Sequence, residues 1–358
     1  MQTVASFSVT FERYIDEKGI RLGELPEFAR STDTLIDLYR AMVLTRAFDE
    51  KAVALQRTGR LGTFASSLGQ EAVGVGTASA MRPDDLLFPS FREQAAMFWR
   101  GVTMTEVLLY WSGDERGSRF AAATKDFPIC IPVASQFPHA AGAALAMQLR
   151  REPRVAVAIG GDGATSKGDF YEALNIAGVW NLPVVFVINN NQWAISVPRK
   201  DQTAAATLAQ KAVAAGVPGF QVDGNDVVAV RAVTERALER ARCGQGPTLI
   251  EALTYRLCDH TTADDARRYR SDAEVSEHFK GEPVSRLRAH LVTCGAWGRD
   301  DEAALLSRCR EQVDRAVEDY LAAAVPGAGD MLDYLFERLP DALIDQRQAL
   351  ASAEASHG

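Results

Sequence analysis

The sequence predicts an α/β fold: a parallel sheet with helices on both faces, an N-terminal arm before it and C-terminal helices after it. Three observations carry this. The apolar runs Val155–Ile159 and Val184–Ile188 are continuous rather than alternating, as expected of strands buried on both faces of a sheet. Between them "KGDFYEALNIAGVWN" carries helical spacing, so strand, helix and strand form one βαβ unit. The same order returns downstream, where "AVAAGVPGFQVDGNDVVAVRAVTERALERAR" reads as another strand and helix and "GPTLIEALTYRL" as another strand.

The elements follow in order. Residues 1–30 read as an extended arm with a Gly-rich turn and Pro26. Ser31 or Thr32 would cap a helix over Leu35–Arg57, whose apolar residues Leu35, Leu38, Met42, Val43, Phe48, Val53 and Leu55 recur at helical spacing. "GRLGTFASSLGQEAVGVGTASAM" is a Gly-rich turn and then a helix of small residues, which lets other backbones pack close and places it deep in the core. "DDLLFPSFRE" is a short strand and a polar loop, "MTEVLLYWSG" a helix, "FAAATKDFPICIPVASQFP" a long loop and "AAGAALAMQLR" a helix. After the second strand pair, "HTTADDARRYRS" is a polar, mobile loop, about 257–272. From Pro283 the pattern is helical, and the closing "ASAEASHG" should fray. The boundaries expected are therefore an arm over 1–30, an α/β domain over 31–282 and a helical extension over 283–358.

Composition narrows the function classes. The chain has 358 residues, 47% hydrophobic and 24% charged, with a formal net charge of −8. That is ordinary for a globular protein with a large core, and it argues against nucleic-acid binding, which calls for a basic surface. Five dispersed cysteines without a CxxC pair suit a reducing compartment and idle thiols. The opening residues lack a basic segment followed by an apolar core, and no apolar run reaches the roughly 18 residues of a membrane span. These features point to a soluble cytoplasmic protein.

The chemistry sits at two strand ends. The first strand of the βαβ unit runs into Gly161-Asp162-Gly163 and the second into Asn189-Asn190-Asn191, where Asn189 and Asn190 read as turn residues that set the strand end. Ligands of an open parallel sheet bind beyond the carboxyl ends of its strands. Asp162 and Asn191 offer oxygen and neither sulfur nor imidazole, which suits a hard cation such as Mg²⁺ completed by phosphate and water. Gly161 and Gly163 leave room for a phosphate, and a helix starting near Ser166–Gly168 would aim its free N–H groups at it. The reading is Mg²⁺ bridging a diphosphate. A dinucleotide turn fits poorly, because Ser166 stands where a third glycine is needed and asparagines stand where an acidic ribose ligand belongs.

The GDG and NN pairs lie 26 residues apart, a spacing that resembles the thiamine diphosphate signature. From about Thr10 to Leu343 the chain resembles the alpha subunit of the decarboxylating component of 2-oxo acid dehydrogenase complexes. The blocks that carry this are "GRLGTFASSLGQEA", "FPSFRE", "GDGATSKGDFYEALNIAGVWNLPVVFVINNNQWAISVP", "LAQKAVAAGVPGFQVDGNDVVAV", "GPTLIEALTYR" and "HTTADDARRYR". The resemblance implies a thiamine diphosphate-binding fold and oxidative decarboxylation of a 2-oxo acid, with acyl transfer to the lipoyl groups of a dihydrolipoamide acyltransferase. Pyruvate is favoured, with branched-chain 2-oxo acids or acetoin as alternatives. It further implies that Asp162, Asn191 and the Trp193 carbonyl hold Mg²⁺, and that Gly163, Ala164 and Arg92 meet the diphosphate. Ile131 and Val133 would face the aminopyrimidine ring through their backbone. His260 would be the catalytic histidine, in a loop braced by Arg256, Asp264 and Arg270. Phe91 stands where relatives carry tyrosine, so a hydroxyl contact to the cofactor is lost. The segment 114–132 lacks a histidine common among relatives, and Thr261 replaces a serine that animal relatives phosphorylate. In this class the glutamate that activates the cofactor sits on a second sheet domain. The ~75 residues after the first domain are too few for one, which implies a beta subunit and an α₂β₂ heterotetramer.

Overall fold

The computed structural model describes residues 1–333 and 335–357. Its strands are β1 (Phe11–Glu12), β2 (Leu86–Phe88), β3 (Ala156–Gly161), β4 (Val184–Asn190), β5 (Trp193–Ala194), β6 (Val197–Pro198), β7 (Gly219–Asp223) and β8 (Thr248–Leu253). Six of them form one sheet in the order β1-β7-β8-β4-β3-β2, and every pairing in it is parallel. The remaining two, β5 and β6, form a short antiparallel hairpin just after β4.

The helices are α1 (Thr32–Arg57), α2 (Glu71–Ala80), α3 (Gln94–Trp99), α4 (Met104–Trp111), α5 (Gln136–Leu149), α6 (Gly168–Val179), α7 (Arg199–Gln202), α8 (Val227–Arg242), α9 (Asp272–Phe279), α10 (Pro283–Thr293), α11 (Arg299–Ala322), α12 (Asp330–Asp333) and α13 (Asp341–His357). On one face of the sheet α5 and α6 pack against Ala156, Ala158, Val184, Phe186 and Ile188. The other face is covered by α8, which packs on β4, β7 and β8 and carries α2 on its outer side. Burial on both faces explains the unbroken apolar runs: all seven residues of β4 are buried. The small residues of α2 serve close packing, since a Cβ on Gly76 would lie 2.8 Å from Val230 Cβ and one on Gly74 would lie 2.7 Å from Ala95 Cβ.

Several elements differ from the sequence reading. The arm is part of the sheet: β1 adds to the edge of β7, with Phe11 opposite Gln221, and the Tyr14 and Ile15 amides donate to the Asp226 carboxylate at 2.7 and 2.8 Å. Asn189 and Asn190, expected as turn residues, are the last two residues of β4. Partners on and after β8 keep them in the strand, because Asn190 Nδ2 donates to Glu251 and Thr254 Oγ1 donates to Asn189 Oδ1. The end expected to fray continues α13 to His357; Gly358 lies outside the described residues. Ala351 and Ala353 favour helix.

The chain divides into two compact units, 1–317 and 318–358. Within the first, α10 packs on α1 through Leu287 and Leu291, and Arg46 of α1 pairs with both Glu71 of α2 and Glu282, the residue capping α10. Within the second, Asp333 of α12 pairs with Arg347 of α13. Among the described residues no helix is long and apolar enough to cross a membrane.

Candidate active site

The parallel register sets Gly161, the last residue of β3, opposite Asn189 near the end of β4. Directly beyond these ends lies a cavity of about 390 Å³. All ten residues singled out by the sequence line it: Asp162, Gly163, Ala164, Asn191, Trp193, Phe91, Arg92, Ile131, Val133 and His260. They come from the β3 and β4 ends, the loop after β2, the long loop before α5 and the loop after β8. A larger cleft, about 770 Å³, opens beyond β7 and β8. In its wall Arg286 and Arg13 both pair with Asp223.

Asp162 is 1% exposed. One carboxylate oxygen accepts from Gln202 Nε2 at 2.6 Å. Burial holds this carboxyl above its usual range, against the Gln202 hydrogen bond and more distant arginines. A buried carboxylate whose hydrogen bonds come only from neutral donors is costly to hold ionised. Asn191 Oδ1 accepts from the Trp193 amide at 3.2 Å, and its Nδ2 donates to Gln70 Oε1 at 2.9 Å. The Asn191 oxygen is thereby turned toward the Trp193 backbone, so both lie in one short bend.

The turn after β3 is tighter than the sequence suggests. Asp162–Ser166 form a 3-10 turn, and α6 starts only at Gly168. The cavity wall includes Gly161–Ala164 but not Ser166–Gly168, so the backbone that faces it belongs to the 3-10 turn rather than to α6. Lys211 Nζ holds that turn from behind, donating to Thr165 O and Oγ1 at 2.9 Å each. Gly163 is needed for packing: a Cβ there would lie 2.7 Å from Ala194 Cβ on β5. Gly163→Ala should therefore destabilise the chain by about 1–3 kcal/mol through overpacking. The checking measurement is the melting temperature, and an unchanged value would mean the hairpin yields freely.

Across the cavity, Arg92 is 6% exposed. One of its terminal nitrogens donates to the Ser66 carbonyl. The other donates to the His260 carbonyl at 2.8 Å and lies 3.3 Å from His260 Nδ1. Arg256, fully buried, brings a second guanidinium 3.4 Å from the same Nδ1. Guanidinium groups only donate, so Nδ1 must accept and the ring proton must sit on Nε2. Burial, then Arg92 and Arg256, push the His260 pKa down to about 4, so the imidazole is neutral near pH 7. The Phe91 ring meets it edge-on, with centroids 5.8 Å apart.

The loop after β8 is tied down by the residues expected to brace it. Asp264 accepts from the His260 amide at 2.9 Å. Arg256 donates to the Ile195 carbonyl at 2.8 Å and to Tyr269 Oη at 2.6 Å, and Arg270 donates to the Arg256 and Cys258 carbonyls.

Sequence reasoning missed three glutamines. Gln70 and Gln136 line the cavity, and Gln202 holds Asp162. Gln70 Nε2, Gln136 Oε1 and Gln202 Oε1 are buried without a hydrogen-bond partner. Gln70 Nε2 is a donor and Gln136 Oε1 an acceptor, and both residues line the cavity. Glutamine carries no motif of its own, and only the presence of Gln70 in "LGQEA" could have flagged it.

Residues 39–327 match the family model described as "Dehydrogenase E1 component". The chain belongs to the dehydrogenase E1 component family. Among E1 relatives, the pyruvate dehydrogenase E1 component subunit alpha of Staphylococcus aureus is 37% identical over 344 residues, covering 95% of this chain and 92% of that one. The Staphylococcus epidermidis protein of the same name matches to the same extent. The E1 family match spans β2 through β8, and so contains the whole cavity wall.

Proposed function

We infer that this chain is the alpha subunit of a thiamine diphosphate-dependent 2-oxo acid dehydrogenase that acts on pyruvate and passes the acyl group to lipoyl groups of a partner acyltransferase. The observation that carries this reading is the buried Asp162 carboxylate, whose side-chain hydrogen bond comes from the neutral Gln202 amide, in the wall of one cavity with Asn191, Arg92 and His260. Asp162, Asn191 and the Trp193 carbonyl would hold Mg²⁺. Such hard, oxygen-only ligands suit that ion, with diphosphate and water completing its shell. Gly163 and Ala164 would meet the diphosphate through their amides and Arg92 through its guanidinium, which offers several donors in fixed geometry. Thiamine diphosphate, when bound, supplies a carbon nucleophile that adds to the 2-oxo group and accepts the electron pair left by CO₂.

The residues of this chain then bind, orient and hold protons. Ile131 and Val133 border the cavity where the cofactor ring would lie. His260 would donate from Nε2–H, because Arg92 and Arg256 occupy Nδ1. Phe91 contributes only its ring. Support for pyruvate comes from relatives that bear its name, and support for a beta subunit from their designation as subunit alpha. The test is co-expression with a beta subunit and an assay of substrate oxidation with an artificial electron acceptor over pyruvate, 3-methyl-2-oxobutanoate and acetoin, with and without thiamine diphosphate and Mg²⁺. Pyruvate should show the highest kcat/KM, and activity should require both cofactors. A higher kcat/KM for either other substrate would overturn the pyruvate assignment, and cofactor-independent turnover the whole reading.

A further inference from the structure

Asp49 lies on α1, outside the cavity, and is 2% exposed. Its Oδ2 accepts three hydrogen bonds from one turn: Ser66 Oγ and Ser67 Oγ at 2.9 Å each, and the Ser67 amide. Gln94 Nε2, 3.5 Å from Oδ1, also donates to the Ala65 carbonyl at 2.7 Å. One carboxylate thus organises Ala65–Ser67. The opposite side of that turn presents the Ser66 carbonyl, which accepts from Arg92. Arg92 in turn reaches the carbonyl of His260. A continuous set of hydrogen bonds therefore runs from α1 to the cavity wall.

We propose that Asp49 is a positioning residue: its carboxylate fixes the Ala65–Ser67 turn and, through the Ser66 carbonyl, sets where Arg92 meets a bound diphosphate. This rests on the diphosphate reading of the cavity. The Ser67 amide can only donate, so an oxygen taking it together with two hydroxyls is best served by the ionised form. Protonation would place a further donor among donors and force the turn to shift.

The charge is held at a cost. Burial raises the Asp49 pKa to about 7, against the pull of its three donors, and Glu71 on α2 adds to the rise. Cys258, after β8, also faces it. The folded-state pKa lies above the ordinary 3.8. The stability linked to this group is therefore fully present below about 3.8 and is lost as pH rises through about 7. Above about pH 7 the carboxylate burdens the fold, which a residue kept only for stability would not do.

The experiment measures thiamine diphosphate affinity in the presence of Mg²⁺, by calorimetry on the co-expressed complex, from about pH 6 to about pH 9 across the Asp49 titration. Three proteins are compared: the native chain, Asp49→Asn and Ser67→Ala. Native affinity should weaken as pH falls through about 7. Asp49→Asn should bind roughly tenfold more weakly, as when a supporting partner is lost, with no such pH limb and no fall in melting temperature at about pH 8. Ser67→Ala removes one donor from the carboxylate and should move the limb to higher pH. Native-like affinity in Asp49→Asn with the limb intact would overturn the inference, and so would an affinity loss that merely tracks a lowered melting temperature. A native complex that binds no thiamine diphosphate would instead overturn the diphosphate reading, and this inference with it.

Discussion

Asp162→Asn should abolish Mg²⁺-dependent cofactor binding while leaving the chain folded. The substitution keeps the shape of the side chain and removes only its charge. In the structure that charge is buried at 1% exposure with the Gln202 amide as its one hydrogen-bonded side-chain partner, and burial raises its pKa. A buried carboxylate in that state costs folding free energy, so the metal-free chain should melt no lower with asparagine than with aspartate. A neutral amide holds a divalent cation far less well. The loss in metal affinity should exceed the roughly 10–100-fold that removal of a ligand's supporting partner costs. Calorimetric titration of thiamine diphosphate with Mg²⁺, alongside a melting curve, separates the two effects. Retained binding would remove Asp162 from the metal site. A collapsed melting temperature would mean that the charge holds the fold rather than an ion.

The contrast between Asp162 and its surroundings shows what a sequence can disclose. Strands β3 and β4 were legible because burial on both faces demands unbroken apolar runs, and Asp162 and Asn191 because polar residues end those runs abruptly. β1 was not legible: two residues, Phe11 and Glu12, carry no periodicity, and they become a strand only because the edge of β7 is free to pair. The strand character of Asn189 and Asn190 depends on Glu251 and Thr254, more than 60 residues away. The start of α6 was placed correctly, yet the local 3-10 turn over Asp162–Ser166 decides which amides face the cavity. That turn is held by Lys211, which nothing nearby in sequence announces. The unpaired glutamine atoms and the Asp49 network are likewise products of tertiary contact. Motifs mark the residues that touch a ligand; the residues that aim them are spread through the chain without one.

The same inventory predicts that the chain expressed alone will decarboxylate pyruvate at a small fraction, below about 1%, of the rate of the chain paired with a beta subunit. Proton transfer by a positioned group contributes roughly 10²–10⁴-fold, and the cavity must find such a group for the cofactor ring. Asp162 and Glu93 are the two carboxylates among its lining residues. Asp162 is committed to the metal in the proposed site. Glu93 is 5% exposed, and its Oε2 already accepts from Ser90 Oγ at 2.6 Å and from the Arg92 amide at 3.2 Å. It is a strut of the Ser90–Arg92 loop rather than a free acid. Among the cavity's lining residues, Ile131 and Val133 remain 48% and 49% exposed, and Ile195, after Trp193, is 56% exposed. Apolar side chains grouped at a cavity mouth fit a surface that is covered in the working enzyme. A second polypeptide would cover it and bring the missing carboxylate. The measurement is steady-state CO₂ release by the purified chain, then by the chain after addition of a beta subunit, at saturating thiamine diphosphate and Mg²⁺. Full activity from the chain alone would sink the prediction. It would also turn attention to Glu93, whose replacement by glutamine should then remove the activity, and which otherwise should act only through the placement of Arg92.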